Sequence, residues 1–291
     1  MITSVAIIGA GKMGLWFCNY FSKKDNYYLM LYDERKINLS LKKFSYKLTI
    51  CKTLDECVKK ADMVIVCVPI KTTFAIINKC LPIMKKGSCI VEISSLKMDI
   101  FDSLLKVPDY ITPISIHPMF GPGAKKLQDM KILVVPVRNK KIEEKIIKST
   151  FNEAKIIVIK DPRKHDSFMA VILGMVYYVN LLIAFTLDNE NISSLKKISG
   201  TTFYLQSLIF ESILTDNPSL ISSLLIQNHE LIKYLRKYVN ESKKLFDIIM
   251  SNDSTKLEKK IKEIKIKYGS KSNTNSSYEK MYSLIARMNR N

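Results

Sequence analysis

The first fourteen residues constrain the fold more than any other part of the chain. Residues 4–8 read SVAII, a short apolar run typical of a buried strand, and GAGKMG follows with Gly9, Gly11 and Gly14. In the order strand, G-x-G-x-x-G turn and helix, the glycines permit a tight turn and close approach of backbone N–H groups to a pyrophosphate. The sequence therefore predicts a dinucleotide-binding unit at the N-terminus.

An acidic residue at the end of the second predicted strand strengthens this interpretation. Asp33 follows Gly14 by nineteen residues and closes the apolar run YYLMLY. An acid at this spacing accepts hydrogen bonds from the adenosine ribose hydroxyls and repels a 2′-phosphate, which favours NAD over NADP. The guanidinium of Arg35 could bind that phosphate, so NADP stays open. The other predicted cofactor contacts are Lys12 and Met13 in the turn and, after a later strand, Val68 and Pro69.

Strands alternate with helices as far as residue 160. After the first two, strands are predicted at MVIVCVP, SCIVEIS, YITPISIHP, KILVVPV and KIIVIK, and this alternation indicates a Rossmann-type, doubly wound, mostly parallel α/β sheet. The rest reads as helix, at 165–188, 193–214, 217–249 and 254–267, followed by a polar linker and a short amphipathic helix. We predict a dinucleotide-binding domain over 1–162 and an all-α domain over 163–291. Pro69, predicted above as a cofactor contact, could equally be a residue that only ends the strand MVIVCVP.

The formal net charge of +19 does not by itself indicate a nucleic-acid partner. The excess is lysine spread along the whole sequence, with arginine at only six positions. Spread lysine is typical of a solvated surface, and a positive field also attracts an anionic substrate and cofactor. The six cysteines fall in the first third, without a C-x-x-C pair or zinc-ligand spacing. We expect reduced thiols, a cytoplasmic location, no metal and no nucleic acid.

One segment could argue for a membrane. Residues 168–187 form a run of twenty without a charge, which is long enough to cross a bilayer. The alternative is a helix buried on all sides at the centre of a helical domain or dimer. We favour burial and no membrane, because Asn180 and two tyrosines interrupt the run and an α/β domain precedes it.

A histidine stands at the end of a predicted strand in ISIHP, and the neighbouring strand ends in EISSLK. In an open α/β sheet, ligands bind beyond the carboxyl ends of the strands. Two adjacent strand ends can therefore place the imidazole of His117 and a hydroxyl of Ser94 or Ser95 over one nicotinamide.

The segments GAGKMG, SSLK, HPMFGP, KHDSFMA and LTDNPSLISSLLIQN together resemble the prephenate dehydrogenase family, which includes arogenate and cyclohexadienyl dehydrogenases of tyrosine biosynthesis. The run HPMFGP separates it from related 3-hydroxyacid and imine-reducing enzymes. The resemblance implies NAD(P)-dependent oxidative decarboxylation of prephenate to 4-hydroxyphenylpyruvate, in a cytoplasmic homodimer. It implies further that the helical domain over 163–291 binds substrate and forms the dimer. It also implies that His117 accepts a hydrogen bond from the ring hydroxyl and that Ser95 orients that hydroxyl.

Each candidate residue also has a structural interpretation. His117 could be satisfied by a backbone carbonyl, and Ser95 could cap a helix that begins at Lys97. His165 matches a family His-Asp pair, and it is either a helix-terminal partner of the dipole or a substrate contact. His229, far along a predicted helix, is expected to be structural.

Two positions depart from the family pattern. Tyr177 occupies the place of a second family histidine, and Tyr204 aligns with an arginine that clamps the substrate carboxylate. Another cation must then act, such as Lys196, Lys197 or a partner residue, or the substrate is arogenate, which carries an extra ammonium. The remaining predicted substrate contacts are Thr201, Thr202 and the Tyr204 hydroxyl. A 3-hydroxyacid or imine-type reductase, or a degenerate nucleotide-sensing or nucleic-acid-binding protein, remains the alternative.

Overall fold

The computed structural model describes residues 3–37, 48–269 and 276–288, and the chain divides into two compact units. One unit comprises Met1–Met169 with Ser222–Asn228, and the other comprises Ala170–Ile221 with His229–Asn291. The domain boundary proposed from the sequence, between residues 162 and 163, stays a prediction.

The first unit contains one sheet, and the order of its described strands is β3-β2-β1-β4-β5-β6-β7-β8. Every pairing is parallel except that between β6 and β7. This confirms the predicted doubly wound, mostly parallel class. The strands are β1 (Thr3–Ile8), β2 (Tyr27–Tyr32), β3 (Leu48–Ile50), β4 (Met63–Val66), β5 (Cys89–Glu92), β6 (Thr112–Pro118), β7 (Lys131–Val134) and β8 (Lys155–Val158).

Helices cover both faces of this sheet. Alternate residues of β1 point to opposite faces, so Val5 and Ile7 pack with α1 and α5, whereas Ala6 and Ile8 pack with α2, α3 and α4. The two apolar layers hold the carboxyl ends of the parallel strands at one edge. The helices are α1 (Lys12–Ser22), α2 (Leu54–Val58), α3 (Ile70–Cys80), α4 (Met98–Leu105), α5 (Lys140–Thr150) and α6 (Pro162–Met169).

Every regular element described after α6 is a helix. Gly174, in a π-helical turn, allows close packing on Leu231, because a Cβ at Gly174 would lie 2.8 Å from a Leu231 methyl carbon. The segments are the π-helical turn Ala170–Met175, α7 (Val176–Thr186), α8 (Ile192–Ile198), α9 (Thr201–Leu214), α10 (Pro218–Ile226), α11 (Leu231–Met250), α12 (Ser254–Gly269) and α13 (Ser277–Met288). The predicted polar linker before α13 lies largely outside the described residues.

Two predicted helices are wrong in length. The helix predicted over 193–214 is interrupted between α8 and α9, where Ser199 is extended with ψ 151° and Gly200 precedes the first turn of α9. The helix predicted over 217–249 is interrupted at 227–230, between α10 and α11.

Within the single chain the long apolar segment is not buried on all sides, so it is not the centre of a helical domain, and its burial in a dimer stays a prediction. It belongs to the helical run Pro162–Thr186, of which only 22% of the most apolar window is buried in this chain. Phe185 is 66% exposed, whereas Asn180 is buried and accepts a hydrogen bond from Gln206 Nε2 at 2.6 Å. By length and composition alone the run could cross a membrane, but a single such helix among the described residues is weak evidence.

Candidate active site

The glycine turn joins β1 to α1 through two close backbone contacts. Gly9 has φ +104°, and a Cβ on it would lie 2.4 Å from the Cys67 carbonyl oxygen. A Cβ on Gly14 would lie 1.8 Å from the carbonyl oxygen of Gly9. At Gly11, by contrast, no described heavy atom lies within 4 Å of that position. The first and third glycines therefore close the turn, and the second leaves room for a ligand above the start of α1.

The first residues of α1 complete the anion-binding character of this turn. Helix α1 begins at Lys12, its N-cap Gly11 supplies no side-chain cap, and its first turn contains no acidic residue. Its leading amides can therefore donate to a pyrophosphate, which the helix dipole also favours. Lys12 is exposed and Met13 is half-buried.

Asp33 lies beside the glycine turn, together with Arg35. Its carboxylate accepts hydrogen bonds from the Ala10 amide at 2.8 Å, the Arg35 amide at 2.9 Å and Arg35 Nε at 3.2 Å. Burial raises the pKa of Asp33, but the hydrogen bonds from Arg35 and the backbone outweigh it, so the pKa is lowered. The predicted ribose acceptor, Asp33, and the predicted partner of a 2′-phosphate, Arg35, are thus paired with each other.

Val68 and Pro69 follow β4 next to the turn. Val68 Cγ1 lies 3.2 Å from the position of a Cβ on Gly9. Strand β4 ends at Val66, and Pro69 is the N-cap of α3, with its carbonyl accepting from the amides of residues 72 and 73. Pro69 therefore marks the start of α3, and whether it also contacts the cofactor stays a prediction.

His117 ends β6 and forms a hydrogen-bonded relay with two residues of α6. Its Nδ1 lies 3.1 Å from His165 Nε2, and His165 Nδ1 lies 2.8 Å from Asp166 Oδ1. His117 is 4% exposed and His165 is fully buried. The structural interpretation in which a backbone carbonyl satisfies His117 is therefore wrong for Nδ1, whose partner is a second imidazole.

The direction of each hydrogen bond in the relay follows from the carboxylate at its end. A carboxylate only accepts, so His165 Nδ1 must donate to Asp166, and neutral His165 then accepts at Nε2. His117 Nδ1 must therefore donate, which leaves a lone pair on His117 Nε2. Among the described residues Nε2 has no hydrogen-bond partner and is not a fully buried unsatisfied atom, so it reaches solvent.

The surroundings keep His117 neutral. Burial lowers its pKa well below 6.5, and His165 and the ammonium of Lys97 lower it further. Burial also lowers the pKa of His165, against the opposing effect of its hydrogen bond to Asp166. A neutral imidazole with a free Nε2 can accept a proton.

Asp166 also binds the start of α4. Its carboxylate accepts from the Lys97 amide at 2.9 and 3.1 Å and from the Met98 amide at 2.9 Å. Helix α4 has Lys97 as its N-cap residue and no side-chain cap from its own segment. The interpretation of Ser95 as the cap is therefore wrong, because α6 supplies it. Ser95 lies half-buried in the loop between β5 and α4.

A buried ion pair that the sequence did not predict lies beneath the relay. Lys97 Nζ contacts Glu92 Oε1 at 2.6 Å, and both side chains are 0% exposed. Glu92 also accepts from the Ser115 hydroxyl and from the Ser94 amide. The available signal was a glutamate at the end of the apolar strand CIVE, with a lysine five residues later.

The loop after His117 is attached to α1. Trp16 Nε1 donates to the Ala124 carbonyl at 2.7 Å, and the Trp16 ring lies 4.8 Å from that of Phe120. The segment MFGPGA is thereby held beside the helix that begins at the glycine turn.

The predicted substrate contacts Lys197, Thr201, Thr202 and Tyr204 lie in the second unit. Tyr204 is half-buried, with Lys196 Nζ 5.9 Å from its ring centroid, and Lys196 is paired with Glu211 at 2.7 Å. The predicted substrate contacts are at the end of α8 (Lys197) and in the first turn of α9 (Thr201, Thr202 and Tyr204).

Two further predicted positions have local roles. The Tyr177 hydroxyl donates to Asp216 at 2.6 Å. His229 is exposed in the turn between α10 and α11, so the expectation that it lies far along a helix is wrong.

The glycine turn, the acid after β2 and the helical second unit define a nucleotide-binding dehydrogenase of the doubly wound class. The model of the prephenate dehydrogenase nucleotide-binding domain matches residues 21–160, and that of the prephenate dehydrogenase dimerization domain matches residues 161–263. The chain therefore belongs to the prephenate dehydrogenase family.

Individual relatives agree with this assignment. A probable arogenate/prephenate dehydrogenase of Methanocaldococcus jannaschii is 26% identical over 285 residues, which is 95% of this chain and 63% of that protein. The chain thus spans less than two thirds of that relative. Prephenate dehydrogenase from A. aeolicus, solved with hydroxyphenyl propionate and NAD+, has a TM-score of 0.72 at 18% identity, covering 94% of this chain and 99% of that one. Synechocystis arogenate dehydrogenase has a TM-score of 0.66 at 16% identity, covering 94% and 100%. At these identities the two structures support the fold.

Proposed function

We propose that the protein is a prephenate dehydrogenase that uses NAD. The observation that carries this proposal is the lone pair on His117 Nε2, whose position and direction follow from the relay to His165 and Asp166. Family membership supplies the substrate class, a cyclohexadienyl ring with a hydroxyl and a carboxylate.

Bound NAD would accept the hydride from the carbinol carbon of the substrate. His117 accepts the hydroxyl proton as that carbon is oxidised, which raises alkoxide character on the oxygen. Ser95, in the loop after β5, orients the same hydroxyl. The ring carboxylate then leaves as CO2, and its bonding electrons complete the aromatic ring of 4-hydroxyphenylpyruvate. Loss of CO2 leaves a phenolate oxygen, and His117 returns its proton to that oxygen, so no net proton is released.

The chain's own residues fit this cofactor. The open position at Gly11 and the uncapped start of α1 would receive the pyrophosphate, and Lys12 and Met13 would line it. Asp33 would bind the ribose hydroxyls once the Arg35 side chain, which is 83% exposed, moves aside. Because Asp33 keeps its charge, NAD is the proposed cofactor and NADP the weaker one.

Arogenate is the second candidate substrate. Tyr204 occupies the position of the family arginine, and Lys196 Nζ lies 5.9 Å from its ring centroid. Lys196 is paired with Glu211 at 2.7 Å, so one positive and one negative charge lie together there. A zwitterionic amino-acid side chain can pair with both charges, whereas the pyruvyl group of prephenate can use only the cation. Lys197, Thr201 and Thr202 would add donors for the carboxylate.

We also propose a cytoplasmic homodimer formed by the second unit. Its described surface carries large apolar side chains that a soluble monomer would leave in water. Those more than half exposed include Phe185, Ile198, Val239, Phe246, Ile249 and Met250. A second copy of the chain would cover these side chains and shield them from water without a lipid bilayer.

The test is a turnover assay that crosses prephenate and arogenate with NAD and NADP. We expect reduced nicotinamide to form fastest with NAD. His117→Asn should lower kcat about 10²- to 10⁴-fold with little change in NAD affinity, because it removes the proton acceptor. His229→Asn, at the exposed histidine, is the matched control and should keep kcat. No turnover with any combination would contradict the proposal, and activity that survives His117→Asn would favour a 3-hydroxyacid or imine-type reductase.

A further inference from the structure

Lys97 is a fully buried lysine that contacts both ends of the histidine relay. Its ammonium donates to the Ile116 carbonyl at 2.6 Å, and Ile116 directly precedes His117 in β6. Its backbone amide donates to the carboxylate of Asp166 at 2.9 and 3.1 Å. One residue therefore holds the backbone that carries His117 and the carboxylate that orients His165.

The stability of the core alone does not explain this lysine. Removing an ammonium and a carboxylate from water costs several kcal/mol for each ion, and well-packed apolar residues of similar volume are often as stable. The sheet nevertheless keeps Lys97 paired with Glu92, whose remaining acceptor capacity is used by Ser115 and the Ser94 amide. A buried ion pair that also contacts the relay suggests a role in the reaction.

We propose that Lys97 is a positioning residue, which holds His117 in line with His165 and Asp166 and keeps a positive charge beside the relay. This inference rests on the proposed function, because positioning matters only if His117 accepts a proton.

The charges around His117 and His165 support the second part of this role. The ammonium of Lys97 acts in the same direction as burial and lowers the pKa of both histidines. The carboxylates of Asp166 and Glu92 act in the opposite direction on His165. Lys97 therefore offsets two nearby negative charges that would otherwise favour protonated histidine.

The experiment compares Lys97→Met with the double variant Lys97→Met/Glu92→Gln, which leaves no unpaired buried charge. We expect kcat to fall about 10- to 100-fold in both, because small displacements of a catalytic group are costly, while KM for NAD changes less than about twofold. Without the ammonium the pKa of His117 rises, so the acidic limb of kcat/KM should move to higher pH. Nitrogen NMR of the three histidines should show a change at His117.

Ser115→Ala is the matched control, since it removes another donor to Glu92 but keeps the ammonium. Its acidic limb should stay at the wild-type position. A folded double variant with wild-type kcat, pH profile and histidine spectrum would overturn the proposal. If neither variant folds, Lys97 serves stability and the proposal also fails. If the wild type shows no turnover, the proposed function fails, whereas the histidine spectra still test the positioning.

Discussion

The relay predicts a large effect for a nearly isosteric change, Asp166→Asn. The Met98 amide donates to Asp166 Oδ2, whereas the Lys97 amide lies within 3.1 Å of both oxygens. An asparagine oxygen in the place of Oδ2 therefore keeps an acceptor for both amides. Its NH2 group then faces His165 Nδ1, which must accept instead of donating. His165 becomes protonated on Nε2 and donates to His117 Nδ1, so the proton of His117 moves to Nε2. The lone pair that accepts the substrate proton is lost.

The expected magnitude follows from that loss. Removing a general base lowers turnover about 10²- to 10⁴-fold, which corresponds to roughly 3–5 kcal/mol in activation free energy. Charge-assisted hydrogen bonds to two amides and His165 become neutral, so the free energy of unfolding should fall by about 1–3 kcal/mol. The opposite amide orientation would leave the Met98 amide facing an NH2 group and without an acceptor, and is disfavoured for that reason.

Initial rates of NAD reduction measure kcat, and long-range nitrogen NMR reports which nitrogen of His117 carries the proton. Asp253→Asn is the matched control, because Asp253 also accepts from a helix-start amide, that of Lys256 at 2.9 Å. It should keep both turnover and stability, because asparagine caps an exposed helix start about as well as aspartate does. A kcat for Asp166→Asn within about threefold of wild type, with the His117 proton still on Nδ1, would refute the relay.

Three further predictions concern the same unit. Gly14→Ala should lower the thermal unfolding temperature, because its Cβ would lie 1.8 Å from a backbone oxygen. Gly11→Ala should fold normally but bind NAD more weakly, which calorimetric titration measures. His117 accepts protons only when it is neutral, and its pKa lies well below 6.5. We therefore expect kcat/KM to stay level as pH falls through 6.5 and to decline only at lower pH. A decline of kcat/KM at or above pH 6.5 that disappears in His117→Asn would contradict this. Asp33→Ser should free Arg35 from its partner and raise kcat/KM with NADP relative to NAD, and an unchanged ratio would argue against the assigned role.

The sheet was largely predictable because its signals are local. Apolar runs separated by helical periods indicate parallel strands, and the glycine turn fixes where the first one ends. Strand β3 was missed, since Leu48–Ile50 is only three residues long and sits at the sheet edge. The reversal of β7 was also not predicted, because the loop between residues 119 and 130 sets its direction and carries no periodic signal.

The helix breaks differ in how visible they were. Gly200 next to Ser199 was a usable signal for the start of α9, because glycine and serine favour helix ends over helix interiors. The break at 227–230 contains neither glycine nor proline, and the apolar spacing on its two sides hides it. There the Asn228 side chain donates to the Asp166 carbonyl, a tertiary contact that sequence periodicity does not encode.

In the site too, features set by neighbouring residues were predictable, and contacts between residues distant in sequence were not. A histidine at a strand end was visible as a candidate, since the strand and its position in the sheet follow from the pattern. Its partner lies forty-eight residues away on α6, and no spacing rule connects the two. The sequence offered His165 as a helix-terminal residue or a substrate contact, and the structure gives it a third place, between His117 and Asp166.

Asp166 explains why a chain with three histidines brings two of them into contact. A carboxylate that accepts two amides of α4 cannot rotate away from them, so it offers the imidazole of His165 an acceptor in a fixed direction. That imidazole in turn accepts from His117 and decides which of its nitrogens is free. The folding contact that begins α4 therefore also sets the protonation of His117. A direct carboxylate partner for His117 would fix the same tautomer, but it would favour the protonated imidazole. With neutral His165 between His117 and Asp166, the tautomer of His117 is still fixed. The negative charge of the carboxylate then lies one imidazole ring further from His117.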